Sequence, residues 1–259
     1  MTRWLVTALP AWVLLLGLVV IMAGGAVLVQ NYVRRRFPTL TGEEHKDVTR
    51  FTYSFIGFIY AFFIGFMVSS MWGAFNTADG NARAEGAAAV QLAIVADGFA
   101  PGDADRVKAA LLTYENAAIA EWDSEGARSG AADAALRDVY TAYGQVGATT
   151  DTQKTLLASS WSNLDALSQA RTERLLTARD DTGPPWPLWV VIAATSAMVL
   201  GTAILYGVEK ASLHYPMVAI VGVIVAINLF LVLELSHPYL GVVSTTPDPL
   251  REAVSALSR

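Results

Sequence analysis

The sequence has no cysteine. That excludes disulfides, thiolate metal centres and thiol nucleophiles, and it leaves the redox compartment unread. Histidine is scarce as well: His45, His214 and His237 stand far apart, with no metal-ligand spacing among them. Charged residues make up only 16% of the 259 positions, and the net charge is −5. A soluble domain usually carries roughly 25% charged residues. A net acidic chain offers no basic surface to neutralise phosphates, so nucleic acid is excluded as a partner. The short catalytic signatures are absent too: there is no G-x-S-x-G, P-loop, H-E-x-x-H or dinucleotide fingerprint. With no nucleophile–base pair and no metal constellation, the chain reads as a non-enzyme without a resident cofactor.

What is abundant is apolar sequence, at 54% of residues. A bilayer core about 30 Å thick needs about 20 mostly apolar residues per helical span. Four segments meet this, at about residues 9–32, 51–72, 186–208 and 216–235, and none has a charge in its middle. Trp12, Tyr32, Trp72, Trp186, Trp189 and Tyr206 fall near span ends, where amphipathic rings favour the interface. The first run is too long for a signal-peptide core and stops against Arg34-Arg35-Arg36, so it reads as a retained span.

The fold class predicted is therefore an all-α membrane protein: four transmembrane helices, with a helical domain inserted between spans two and three. Residues 1–72 hold the first helix pair, 73–185 the inserted domain, 186–235 the second pair and 236–259 a tail. The loop between the first two spans holds Arg34, Arg35, Arg36, Lys46 and Arg50. Basic residues in short loops stay cytoplasmic, which places residues 73–185 and both termini on the extracytoplasmic side of the cell membrane.

Residues 73–185 contain 16 acids and 9 Lys or Arg. Alanine is plentiful and β-branched residues are few, as helix propensity prefers. Gly80 and Gly86 are expected to interrupt the continuation of span two, with a helix resuming over 87–96. Pro101-Gly102-Asp103 breaks the chain, with Asp103 as N-cap. A helix then carries Val107, Leu111, Tyr114, Ala118 and Trp122 on one face. Further helices are expected over 131–143 and 149–179, and the helices flanking the domain can be continuous with spans two and three.

Span two is the most informative segment. Phe51, Phe55, Phe58, Phe62 and Phe66 recur at helical spacing as one aromatic ridge. Beside it run Gly57, Ala61 and Gly65, small residues that let helices approach closely. The ridge either packs against lipid or a neighbouring span, or forms a hydrophobic constriction when several copies meet at an axis. Asn228 and Glu234 in span four, with His237 just past its end, are polar groups at or near membrane depth. They serve structure, or they line an ion path or an oligomer contact. His45 and Asp47 belong either to a solvated turn or to a titratable pair at a pore mouth. Glu121, Asp123 and Glu125 form either a solvated acidic turn or a patch that gathers calcium.

The run His45-Lys46-Asp47-Val48, then Gly57, Tyr60-Ala61, Gly65-Phe66 and Trp72, resembles the bacterial bestrophin-like family of unknown function. Glu85, Tyr114 before Glu121-Trp122, and Arg171, Arg174, Leu175 and Leu176 before the third span agree with it. So do His237-Pro238-Tyr239, Gly241, Pro247, Pro249 and Leu250. The resemblance implies two spans, a soluble helical region and two more spans. Bestrophins are pentameric anion channels gated by calcium, with a neck of second-span aromatics; the matching positions here are Phe55, Phe58, Phe62 and Phe66. Their soluble region is cytosolic, whereas the basic loop here places this one outside. An acid-rich exposed domain gathers cations, so cations are favoured over anions. The expected function is an oligomeric ion channel in the lipid bilayer with span two lining the path. The alternative is a sensor or accessory subunit with no transport activity.

Overall fold

The structure, a computed structural model, describes residues 2–37, 46–122, 128–179, 183–206 and 211–258. Among these the chain is all helix and turn, with no strand. The elements are α1 (Thr2–Ala8), α2 (Ala11–Val19), a π-helical segment (Val20–Gly24), α3 (Gly25–Arg36) and α4 (Lys46–Ala96). They continue with α5 (Pro101–Trp122), α6 (Gly130–Gly144), α7 (Asp151–Arg179), α8 (Trp186–Leu205), α9 (Ala211–Leu235) and α10 (Asp248–Leu257). Four stretches are long and apolar enough to cross a bilayer: Ala11–Arg36, Phe51–Ala96, Trp186–Leu205 and Ser212–Leu235. The chain is a membrane protein.

The helices group into two compact units. The first comprises residues 1–73, 182–237 and 241–243; the second comprises 74–181, 238–240 and 244–259. In the first unit α9 packs against α2, the π segment, α3 and α8. The close approach is made at Gly222, where a Cβ would lie 2.6 Å from the Cα of Ala23 in the π segment. A methyl there has nowhere to go, because its neighbour is backbone. π-helical turns are rare and occur mostly as single-turn bulges inside α-helices; here Ala23 of that turn is buried and lies against Gly222 of α9. Pro216 stands inside α9, in its second turn, so the helix begins five residues earlier than the apolar run alone suggests.

The second unit is a helical bundle whose core includes Leu92, Val107, Leu111, Tyr114, Val139, Tyr143, Leu164 and Leu167. Leu250 and Ala253 of α10 are buried in the same core, so the C-terminal segment ends in a docked amphipathic helix. Each fully buried leucine contributes about 1.5–3 kcal/mol relative to exposure. The Tyr143 hydroxyl lies in this core and donates to the Leu92 carbonyl at 3.0 Å.

Two local expectations are corrected. Gly80 and Gly86 do not interrupt the helix: α4 runs 51 residues without a break, about 76 Å at 1.5 Å per residue. A glycine inside a helix costs only about 1 kcal/mol. At Gly86 the missing side chain has a use, since a Cβ would run into the Pro249 carbonyl. Asp103 is not the N-cap of α5, because the helix starts at Pro101. Its carboxylate instead binds the Gly147 amide at 2.9 Å and Arg106, tying the start of α5 to the end of α6. α7 and α8 are separate helices, with Gly183-Pro184-Pro185 ahead of Trp186.

Candidate functional site

Along the first part of α4 the two faces differ sharply. Tyr60, Ile64, Met67 and Met71 recur at spacings of four, three and four, and all are buried. On the other face Phe55 is 56% exposed, Phe58 69%, Phe62 71% and Phe66 66%. Phe51 and Phe55 stack with their rings nearly parallel and their centroids 6.4 Å apart. Gly57 and Gly65 face open space, with no atom within 4 Å of an added Cβ, and Ala61 between them is exposed. Within one chain, then, the ridge and the small-residue ladder are both uncovered, and the helix is held from behind.

What holds it includes polar groups. The Tyr60 hydroxyl is buried beside Ser196 of α8 and Asn228 of α9, and neither hydroxyl forms a hydrogen bond of normal geometry. Asn228 itself is half-buried. Gln30 of α3 is fully buried with no partner for either end of its amide. His214 of α9 is fully enclosed; its Nε2 lies 3.1 Å from the Ala203 carbonyl and its Nδ1 lies 3.0 Å from an Arg34 guanidinium nitrogen. A carbonyl can only accept, so Nε2 bears the proton and donates, and Nδ1 accepts from Arg34.

Glu234 closes a small loop at the end of α9. It is 1% exposed, and its Oε2 accepts from the amides of Val242 at 3.0 Å and Val243 at 3.4 Å. Gly241 enables this with a φ of +81°, and a Cβ there would meet the same oxygen at 2.5 Å. His237 is buried close by, its amide donating to the Glu234 carbonyl at 3.3 Å. His45 lies outside the described residues. Asp47 falls in the first turn of α4, and its side chain is outside the described set.

In the second unit the structure brings together residues that the sequence scattered. Arg174 forks onto Glu85, at 2.6 and 3.1 Å, and reaches Glu121 at 3.3 Å. Arg171 grips both oxygens of Glu121, at 3.1 and 2.8 Å, and Asp133 at 2.8 Å. Glu85 also accepts from the Tyr114 hydroxyl at 2.8 Å. The Arg174 guanidinium lies 4.9 Å from the centre of the Trp122 ring, which in turn meets Tyr239 edge to face. Glu85, Glu121, Arg171 and Arg174 are all buried. Burial opposes the charge on both arginines, yet their carboxylate partners outweigh it and raise both pKa values above the usual guanidinium range.

The ion-pair cluster was not anticipated, although a signal was present. Arg171 and Arg174 share the stripe of α7 that carries Leu164, Leu167 and Leu175, while Glu85 and Glu121 occupy core stripes of α4 and α5. Charges of both signs at core positions imply mutual pairing. Glu121 is therefore committed to arginine; Asp123 and Glu125, the other members of the acidic turn, lie outside the described residues. Among the described residues, no group of three His, Cys, Asp or Glu is arranged to hold a metal ion.

Comparison with known proteins agrees with this architecture. The family model of a bestrophin-like domain matches residues 12–250. Crystal structures of mutants of a bacterial bestrophin homologue from Klebsiella pneumoniae share the fold. One has a TM-score of 0.69 at 15% identity, over 94% of this chain and 96% of that one. A second has a TM-score of 0.66 at 16% identity, over 96% and 99%. A third has a TM-score of 0.62 at 18% identity, over 95% of each. No curated protein matches the chain in sequence.

Proposed function

This chain belongs to the bestrophin-like family, and from that premise we propose that it is an ion channel whose α4 lines the path. Several copies, five by the family resemblance, bring their α4 ridges to a common axis. The observation behind this reading is the two-faced α4. Its inner face is anchored by Tyr60, Ile64 and Met67, and four phenylalanines stand more than half exposed on the other. Phenylalanines converging from several copies form a dry constriction that gates by dewetting. Gly57, Ala61 and Gly65, uncovered within the chain, leave room for neighbouring copies to approach.

Cations are the favoured ions. Residues 73–185 carry seven more acids than bases, and a vestibule of that sign concentrates cations and repels anions. The basic loop after α3 keeps its side cytoplasmic, which puts this unit and both termini outside. A chain without cysteine suits the topology test: single cysteines at exposed Gln91 and at Phe37 should label from opposite sides of intact cells.

The deciding experiment is ion flux through the purified protein in liposomes. Potassium, sodium, calcium and chloride are offered in turn, and calcium is also added as a regulator. We expect cation flux, raised several-fold by Phe62→Ala because a ring is removed from the constriction. Chloride flux would retain the channel and reject the cation preference. No flux under any ion, voltage or calcium condition would reject the channel and leave a sensor or accessory subunit.

A further inference from the structure

The second unit encloses three glutamates and only two arginines. Glu85, Glu115 and Glu121 are at most 2% exposed, as are no other acids of that unit among the described residues, and Arg171 and Arg174 are enclosed with them. The partners are already allotted. Glu85 has the Arg174 fork and the Tyr114 hydroxyl. Glu121 has Arg171 on both oxygens, a further contact from Arg174, and the Ser129 amide at 2.7 Å. Asp133, half-exposed at the edge, takes the remaining arm of Arg171 and is shared with Arg128. That leaves Glu115 of α5, which is 0% exposed with no hydrogen-bond partner on either oxygen. A carboxylate enclosed without a donor is too costly to stay ionised, and such a group takes up a proton instead.

We propose that Glu115 is a proton-binding site: it holds one proton per chain at neutral pH, and its release sets a third carboxylate competing with Glu85 and Glu121 for Arg174, loosening the seam between α4, α5 and α7.

The surroundings on every side support this assignment. α4 presents Glu85, a like charge, and α7 presents Arg174, already doubly engaged. α5 itself contributes Tyr114 and Glu121; on α6 the enclosed titratable side chain is Tyr143, with Asp133 at the margin and Arg137 and Asp138 exposed. α10 offers α5 the apolar Leu250 and Ala253, and its own Asp248, Arg251 and Glu252 are exposed. Tyr239 approaches from the 238–240 segment and is neutral at working pH, its ionisation suppressed by burial. Burial and the charge of Glu85 hold the Glu115 carboxyl well above the usual glutamate range, and the pull of Arg174 does not reverse them.

The sign of the linkage follows. The folded protein keeps a proton that the unfolded chain loses near the ordinary glutamate value, about 4.3. The contribution of Glu115 to stability is therefore full below that value. It declines as pH rises, until the folded-state pKa is passed.

The test compares the full-length protein with Glu115→Gln, which keeps the shape and cannot ionise, by denaturant unfolding in detergent micelles between pH 5 and pH 8. The unfolding equilibrium constant of the wild type, divided by that of E115Q, should climb with pH, by about tenfold per unit until the folded-state pKa is passed. All other titratable groups are common to both proteins and cancel from the ratio. Infrared spectra of the wild type at neutral pH should show a protonated carboxyl that E115Q lacks. A ratio that stays constant across the range overturns the proposal. If E115Q does not fold, Glu115→Leu takes its place. The wild-type spectrum then still decides, because absence of a protonated carboxyl at neutral pH overturns the proposal without any variant.

Discussion

Arg174 ties together two buried glutamates of the second unit, Glu85 and Glu121. Methionine in its place keeps the apolar stem and deletes the guanidinium. Glu85 then loses contacts of 2.6 and 3.1 Å and retains only the Tyr114 hydroxyl, while Glu121 keeps Arg171. Removing one partner of a buried pair leaves an uncompensated charge, at a cost of about 3–5 kcal/mol. Loss of the contact with the Trp122 ring at 4.9 Å acts in the same direction. At about 2–4 °C per kcal/mol for a domain of this size, Tm should fall by about 6–20 °C. Tryptophan fluorescence during thermal unfolding in detergent is a suitable readout, because Trp122 borders the guanidinium.

A second arm separates pairing from packing. Adding Glu85→Leu to Arg174→Met removes the orphaned carboxylate, and an apolar replacement of a whole pair is often neutral. The double variant should recover more than half of the single variant's loss, a coupling expected only of groups in contact. The reasoning fails if R174M lies within about 1 kcal/mol of the wild type, where ordinary surface changes also lie. It fails equally if the double variant is no more stable than the single one.

Two further outcomes follow from the geometry. Gly222→Val drives a side chain into the Ala23 backbone, and overpacking of this kind costs about 1–3 kcal/mol; at Gly57 an added Cβ meets nothing within 4 Å, so of Gly222→Val and Gly57→Val only the first should lower thermal melts. If α4 packs on neighbouring copies, G57V should instead shift the assembly seen by size-exclusion light scattering. Asp103, Asp133 and Asp248 all have lowered pKa values. Asp103 is held by the Gly147 amide and Arg106, and Asp248 by Thr246 and Arg251. At Asp133 burial opposes ionisation, but Arg171 and Arg128 prevail. Their contribution is complete above the ordinary aspartate value of about 3.9 and is lost as pH falls through the folded-state values. Acid titration should show this as destabilisation confined to the range below about pH 4.

The spans and the aromatic ridge were legible because both are local: a run of apolar residues and a repeat at helical spacing survive without knowledge of partners. The same logic misjudged Gly80 and Gly86, since their helix is sustained by the packing of Ala82, Ala89 and Leu92 rather than by propensity. Gly222, where an added Cβ would meet the Ala23 backbone, was not legible in the same way. Nothing around Gly222 in the sequence distinguishes it, because its reason is Ala23, some two hundred residues away. The ion-pair cluster escaped for the same reason, its partners being 38 to 89 residues apart.

The two units also treat buried polarity differently, and the difference follows from their surroundings. In the spanning unit the enclosed polar side chains include Gln30, Tyr60, Ser196 and His214, the last held as a neutral tautomer between a carbonyl and Arg34. Neutral groups are the affordable kind at membrane depth, where a full charge costs several kcal/mol even with water defects to relieve it. The enclosed acid there, Glu234, sits at the end of α9 and is met by two backbone amides across the Gly241 turn. Any part for Glu234 in an ion path would first require those two bonds to open. The second unit instead encloses full charges, because it can match Glu85 and Glu121 with Arg174 and Arg171 on facing helices. Pairing of that kind contributes little net stability but is intolerant of misalignment, since every alternative register strands a charge. The cluster therefore fixes how α4, α5 and α7 align within the second unit.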